Sequence, residues 1–376
     1  MKLLILQEKL KEGLNIIERV SPKSLTLPIL NNVLISTEKN FLRLSSTDLE
    51  TGINWWALVK IEKEGTITIP SKLFSNFINL LPNKKIKLET KNQTLFLECD
   101  NYKTQLKGLG ADEFPIIPKI PKEECISLNS KSLSEGLNQV VDIAVPSTTR
   151  PEISGIYLSF QKDLITLAAT DSFRLAEKKI FLKNNHFLEK NYSFILPQKT
   201  VKELVNIFSE KEKEIKIYFS PNQVMFEYPM TEVAHPQIQL ISRLIEGEYP
   251  NYQEIIPKKY STQITVDKNE FLNQIKTASL FSGKINEIKI KTNSKNKKVE
   301  IFSQSSDVGE YNSSIPGVIK GEEIEISFNH RFLLDGLLNI KSSEVIFELS
   351  GDSGPGVLKP VGDDSYIYVV MPIKTT

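Results

Sequence analysis

Six amphipathic stripes at near-even intervals constrain this chain more than any other feature of its sequence. Apolar residues separated by four and then three positions fall on one face of a helix. One set is Leu10, Leu14 and Ile17; then Leu133, Leu137 and Val140; then Phe271, Ile275 and Ala278. A second set alternates with it: Phe74, Ile78 and Leu81; Val201, Val205 and Phe208; Leu333, Leu337 and Ile340. Paired stripes begin 64, 68 and 62 residues apart, and a sixth of the 376-residue chain is about 63. One stripe marks only an amphipathic helix. Even spacing over the whole length marks a repeat, so six half-units pair into three units of roughly 120–135 residues.

Short β-branched or aromatic runs, broken by Asn, Gly or charged turns, fill the rest. Strands are expected at 2–6, 125–128 and 263–266, each ahead of a first-set helix. Further strands are expected at 29–36, 41–45, 54–61, 66–69, 85–90, 94–98, 156–160, 165–169, 215–219, 224–228, 288–291 and 299–302. Helices packed on antiparallel strands give an α+β fold. Proline and charge concentrate in Phe114-Pro115-Ile116-Ile117-Pro118-Lys119-Ile120-Pro121 and again from Tyr249-Pro250 to Pro257-Lys258-Lys259. Three domains are expected, at 1–122, 123–257 and 258–376.

Composition narrows the function. Forty-seven Lys and Arg stand against 46 Asp and Glu, so the chain does not hold nucleic acid by bulk charge. Cys99 and Cys125 are too few for a disulfide framework, which suits a reducing cytoplasm. The Leu3-Leu4-Ile5-Leu6 run is too short for a signal peptide, and no stretch approaches the ~20 apolar residues of a membrane span. A soluble cytoplasmic protein is expected. His186, His235 and His330 sit in three separate contexts, and no phosphate-cradling glycine loop, nucleophile elbow or metal-ligand spacing occurs. No catalytic residues, metal or cofactor are therefore expected.

Two features ask for more than a structural role. Lys72, Lys199 and Arg331 each stand two residues before a second-set stripe, with Pro70 and Pro197 ahead of the first two. A cation in the first turn of a helix opposes its dipole, so its recurrence in three units suggests a nearby anion such as phosphate. A solvated side chain is the plain alternative. The second feature is Leu167-Ala168-Ala169-Thr170-Asp171-Ser172-Phe173-Arg174-Leu175-Ala176, which reads as a β-hairpin or a bulged strand. Its cousin is Leu44-Ser45-Ser46-Thr47-Asp48-Leu49-Glu50, but only the later copy adds Phe173 and Arg174, a hydrophobe and a donor suited to a partner's backbone.

Four short motifs in order carry a family resemblance. They are Thr26-Leu27-Pro28-Ile29-Leu30, the Ala169–Ala176 run, Tyr249-Pro250-Asn251-Tyr252, and Tyr368-Val369-Val370-Met371-Pro372-Ile373. With the sixfold half-repeat, the whole chain resembles the bacterial DNA polymerase III beta subunits, the β sliding clamps. The resemblance implies three tandem clamp domains and a non-catalytic homodimeric ring closed head to tail. Its helices would line a hole that encircles duplex DNA without sequence preference, with sheets outside. It also implies a hydrophobic cleft for short Gln- and Leu–Phe-bearing peptides. These would come from the DNA polymerase III catalytic subunit, the clamp loader and other replication and repair clients.

Carried over position by position, the cleft would comprise Ile153, Thr170, Ser172, Phe173, Arg174, Leu175, Pro250, Ile255, Asn329, Phe332, Val369, Val370, Met371, Pro372 and Ile373, with Ile285 nearby. DNA would be faced by Lys23, Lys72, Arg150, Lys199, Lys202 and Arg331. Segments 7–20, 129–145 and 267–281 carry formal charges of 0, −1 and 0, and 70–81, 197–208 and 329–341 carry +1 each. A ring that holds DNA by topology needs no stronger attraction. Phe173 stands where the family usually has His, and Glu254 where a cleft Arg is common, so client preference is expected to differ.

Overall fold

The computed structural model describes residues 1–22, 26–182 and 191–374. All six expected helices form: α1 (Gln7–Ile17), α2 (Ser71–Leu80), α3 (Ser130–Val140), α4 (Gln198–Phe208), α5 (Lys268–Ser279) and α6 (His330–Leu338). The predicted stripes are their buried faces. Leu10, Leu14 and Ile17 of α1, Phe74 and Ile78 of α2, and Leu333 and Leu337 of α6 are sequestered from water.

The chain gathers into two compact bodies. The first holds residues 1–135 and 199–244 and contains two antiparallel sheets. Five strands run in the order Lys60–Lys63, Lys2–Leu6, Lys85–Lys91, Thr94–Cys99 and Tyr102–Lys107. Eight more run Cys125–Asn129, Glu214–Ser220, Gln223–Pro229, Pro236–Arg243, Thr51–Leu58, Phe41–Thr47, Asn32–Glu38 and Thr66–Pro70. Helix α1 lies so close to this sheet that a Cβ on Gly13 would sit 2.5 Å from the Trp55 ring. Only glycine fits there.

The second body holds residues 136–182, 191–198 and 245–374. Its larger sheet has nine strands, in the order Tyr192–Pro197, Gly155–Phe160, Leu164–Thr170, Arg174–Phe181, Tyr366–Val370, Gly356–Pro360, Glu344–Leu349, Thr262–Asp267 and Val318–Gly321. Its smaller sheet runs Gly309–Pro316, Lys298–Ser305, Glu287–Asn293 and Glu325–Asn329. Gly336 of α6 repeats the device of Gly13, since a Cβ there would come within 2.5 Å of the Tyr368 ring.

Two strand expectations need correction. Residues 28–31 are a 3₁₀ turn, and the strand begins only at Asn32. Pro28 has no N–H to give a ladder and its fixed φ suits the first position of a turn. The run expected at 54–61 is two strands in different sheets, Thr51–Leu58 and Lys60–Lys63. The chain changes sheets at Val59, whose N–H donates to Asn40 O at 2.9 Å.

Candidate functional site

In the second body the Thr-Asp-Ser segment is a hairpin, with Thr170 paired to Leu175 across the turn. Thr170 Oγ1 donates to Arg174 O at 2.8 Å and accepts from Ser172 N at 3.2 Å. Asp171 Oδ1 accepts from the N–H groups of Phe173 and Arg174, both at 3.0 Å. These bonds hold Ser172 at φ +77°, a conformation that short polar residues in turns tolerate best. The Phe173 side chain is thereby turned outward, 62% exposed.

The carboxy-terminal strand continues the same sheet, pairing Arg174 with Val370 and Leu175 with Val369. Beyond its end, Met371 N donates to Phe173 O at 2.9 Å and Ile373 N to Ser327 O at 2.8 Å. From the other side comes the start of α6, capped by Asn329, whose Oδ1 accepts from Arg331 N at 3.0 Å. Phe332 in its first turn stacks on Phe173, with ring centroids 6.3 Å apart. Tyr368, through a 2.7 Å bond from its hydroxyl to Phe332 O, fixes that turn against the sheet.

Arg174 ties these pieces together. Its guanidinium lies over the Phe332 ring at 4.7 Å, donates from Nε to Asp171 Oδ2 at 2.9 Å, and forms a further ion pair with Asp335 of α6. Burial opposes its charge, but Tyr368 and the two carboxylates outweigh burial and hold its pKa above the ordinary value. The expected role of Arg174 as an open donor differs from this geometry. At 9% exposure its donors are committed inside the chain. Phe173, Phe332 and Arg174 form one stack, an aromatic shelf held by an internal cation.

Leu175, Val369, Val370 and Ile153 are buried, so they form the floor beneath the surface. Leu175 and Val369 pack with Ala168, Tyr252 and Val357. Tyr252 closes this cluster. Its N–H donates to Pro250 O at 2.7 Å and its hydroxyl to the buried Glu177 carboxylate at 2.7 Å. Burial, reinforced by Glu177, pushes the Tyr252 phenol above its ordinary pKa, so it remains a donor near neutral pH. Met371, Ile255 and Ile285 are exposed, and Pro372 and Ile373 are half-buried. Sequence reasoning missed Asp335 and Glu177. The only signal was a charge inside an otherwise apolar helical or strand pattern.

The first body carries a counterpart of the hairpin turn. Thr47 Oγ1 donates to Thr51 O, Asp48 Oδ1 accepts from Glu50 N and Thr51 N, and Leu49 stands at φ +76°. Arg243 N donates to Glu50 O at 2.9 Å, as Met371 N does to Phe173 O in the second body. Where the second body stacks Arg174 on Phe332, this one links Thr51 to Thr200 at 2.8 Å and Thr200 to Ser242 at 3.0 Å. A self-satisfied hydroxyl chain offers no apolar shelf.

The whole sequence matches the models of one family. The DNA polymerase III beta subunit N-terminal domain covers residues 1–118, the central domain 127–251 and the C-terminal domain 253–374. The chain belongs to the DNA polymerase III beta subunits, the sliding clamps. It is 31% identical over 369 residues to the beta sliding clamp of Staphylococcus aureus, covering 96% of this chain and 95% of that protein. The beta sliding clamp of Staphylococcus epidermidis matches to the same extent. Among solved structures it superposes on the Bacillus subtilis DNA polymerase sliding clamp with a TM-score of 0.93 at 27% identity, and on a putative DNA polymerase III beta subunit from Eubacterium rectale with 0.91 at 26%; both chains are covered completely in each case. The fold is accordingly the three-domain α+β clamp fold, and the family is a non-catalytic processivity subunit of DNA replication.

The expected DNA-facing cations of this sliding clamp fall into distinct settings. Lys199, in the first turn of α4, forms an ion pair with Asp48, so the anion that the sequence suggested there is a carboxylate of its own body. Lys72 on α2 and Arg331 on α6 are exposed and have no ion-pair partner among the described residues. Arg150 binds the Glu152 carboxylate at 3.2 Å and the Ser172 hydroxyl at 3.0 Å. Lys202 is exposed on α4, and Lys23 lies outside the described residues. Among the described residues no helix is long and apolar enough to cross a membrane.

Proposed function

We propose that two copies of this chain close head to tail into a ring that encircles and slides on duplex DNA. Three domains with boundaries near 122 and 257 each supply two half-units to that ring. The exposed Lys72, Lys202 and Arg331 contribute weak phosphate contacts, with Lys199, Arg150 and Lys23 as further candidates. Clamp-family membership supports this reading, as does near-neutral charge, since weak contacts permit sliding. The protein acts in the cytoplasm and is loaded by a clamp-loader complex.

The ring tethers the polymerase III catalytic subunit and other clients through short peptides with Gln and Leu–Phe anchors. The observation that carries this part is the shelf: Phe173 projects into solvent beside exposed Met371, over a floor of Leu175, Val369 and Val370. Extended peptides use such pockets for alternate side chains and exposed sheet ends for backbone bonds. Glu254 and Phe173 adapt the surface toward aromatic and basic residues in the client.

Light scattering combined with retention on DNA tests the ring. A mass near twice 42.7 kDa, with retention on nicked circles and loss from linear DNA after loading, is the expected result. A monomer at micromolar concentration, or equal retention on linear and circular DNA, would overturn it.

A further inference from the structure

The linker that ends the first clamp domain arches over the outer face of the eight-stranded sheet and encloses a cavity of about 540 Å³ in the first body. Ligand pockets typically span about 300–1,000 Å³ and combine apolar walls with a few placed polar groups. This one fits. Trp56, Met225 and Ile117 supply apolar and aromatic walls. Phe114 and Ile120 are buried and anchor the linker on either side.

Charge gives the cavity its sign. Its lining contains Arg43, Lys119 and Lys122 and no carboxylate. Lys122 is answered by Glu227, which also accepts from Gln239 at 2.7 Å. Arg43 is not. Its Nε donates to Ser36 Oγ at 3.0 Å, but no carboxylate pairs with it among the described residues. A half-buried guanidinium with an unused fork of donors is costly unless an anion meets it, and a carboxylate or sulfonate matches that fork. Asn54 lies beside it, its Oδ1 taken by Ser45 Oγ at 2.7 Å. This arrangement leaves the Asn54 amide N–H groups for the same anion.

We propose that this cavity is a binding site for a small amphiphilic anion, with an aromatic body against Trp56 and Met225 and its charge on Arg43. The site is independent of the peptide shelf in the second body.

The test uses 1-anilinonaphthalene-8-sulfonate, which joins aromatic rings to one sulfonate, and N-phenyl-1-naphthylamine, its uncharged analogue. Titration of the full chain should show saturable binding of the sulfonate with quenching of tryptophan emission, and at least tenfold weaker binding of the amine. Arg43→Gln should weaken the sulfonate about tenfold or more, since a charge-assisted hydrogen bond is lost. Ser45→Phe, which fills the cavity, should abolish binding; should that variant fail to fold, Gln239→Trp replaces it. Sulfonate affinity unchanged in Arg43→Gln, persistence of binding in the filled variant, or no binding by the wild type would each overturn the proposal.

Discussion

Truncating Phe173 to Ala should separate client binding from folding. A phenylalanine buries on the order of 200 Å² when fully covered. With 62% of Phe173 exposed, about 120 Å² of that ring is available to a partner. A peptide covering two-thirds of it removes ~80 Å² from water, about 2 kcal/mol at 25 cal/mol per Å². Affinity for a Gln-and-Leu–Phe peptide should therefore fall between tenfold and thirtyfold. Inside the chain only the stack on Phe332 is lost, and such pairs contribute about 0.5–1.5 kcal/mol, least where exposed. Urea unfolding should accordingly shift by less than about 1 kcal/mol. Leu175→Ala is the contrasting variant, because Leu175 is a buried member of the core cluster. Its cavity should cost about 2–5 kcal/mol of stability. Isothermal titration calorimetry and urea melts on both variants distinguish the two effects. Peptide affinity within twofold of wild type in Phe173→Ala, or a stability loss there as large as in Leu175→Ala, would refute the exposed-shelf reasoning.

Asp335→Asn removes one of the two carboxylates that hold Arg174 over Phe332, while Asp171 remains. Asp335 is partly exposed, so stability should fall by no more than about 1 kcal/mol in urea, with a severalfold loss of peptide affinity. His330 has its pKa lowered by burial and then by Arg331, so its charged form is disfavoured in the fold. Stability from this group is complete above the ordinary histidine pKa and is lost as pH falls below it; thermal melts of His330→Gln should decline less than wild type between about pH 6.5 and 5. Combining Lys72→Glu and Arg331→Glu with Lys199→Gln should shorten retention on nicked circular DNA while circular dichroism stays unchanged. Glutamine is chosen at 199 because a glutamate would face Asp48. Retention equal to wild type would mean that these cations do not face DNA.

The six helices, their buried faces and the α+β class were legible in the sequence because helical periodicity is local: residues four and three apart must share a face whatever surrounds them. The Thr-Asp turns were legible for the same reason, since their side chains bond to backbone only two to four residues away. Strand partners were not. The pairing of Pro236–Arg243 with Thr51–Leu58, and of Arg174–Phe181 with Tyr366–Val370, joins segments from different repeats. A short alternating strand carries no address for its neighbour, so tertiary packing chooses it. The site follows the same division. Phe173 and Met371 could be named from motifs, but their adjacency depends on a strand that returns almost 200 residues later. The commitment of Arg174 to Asp335, 161 residues away, likewise exists only once α6 is laid against the sheet. Low-dielectric packing then makes that ion pair strong enough to hold the shelf, a decision of the tertiary structure that no local pattern encodes.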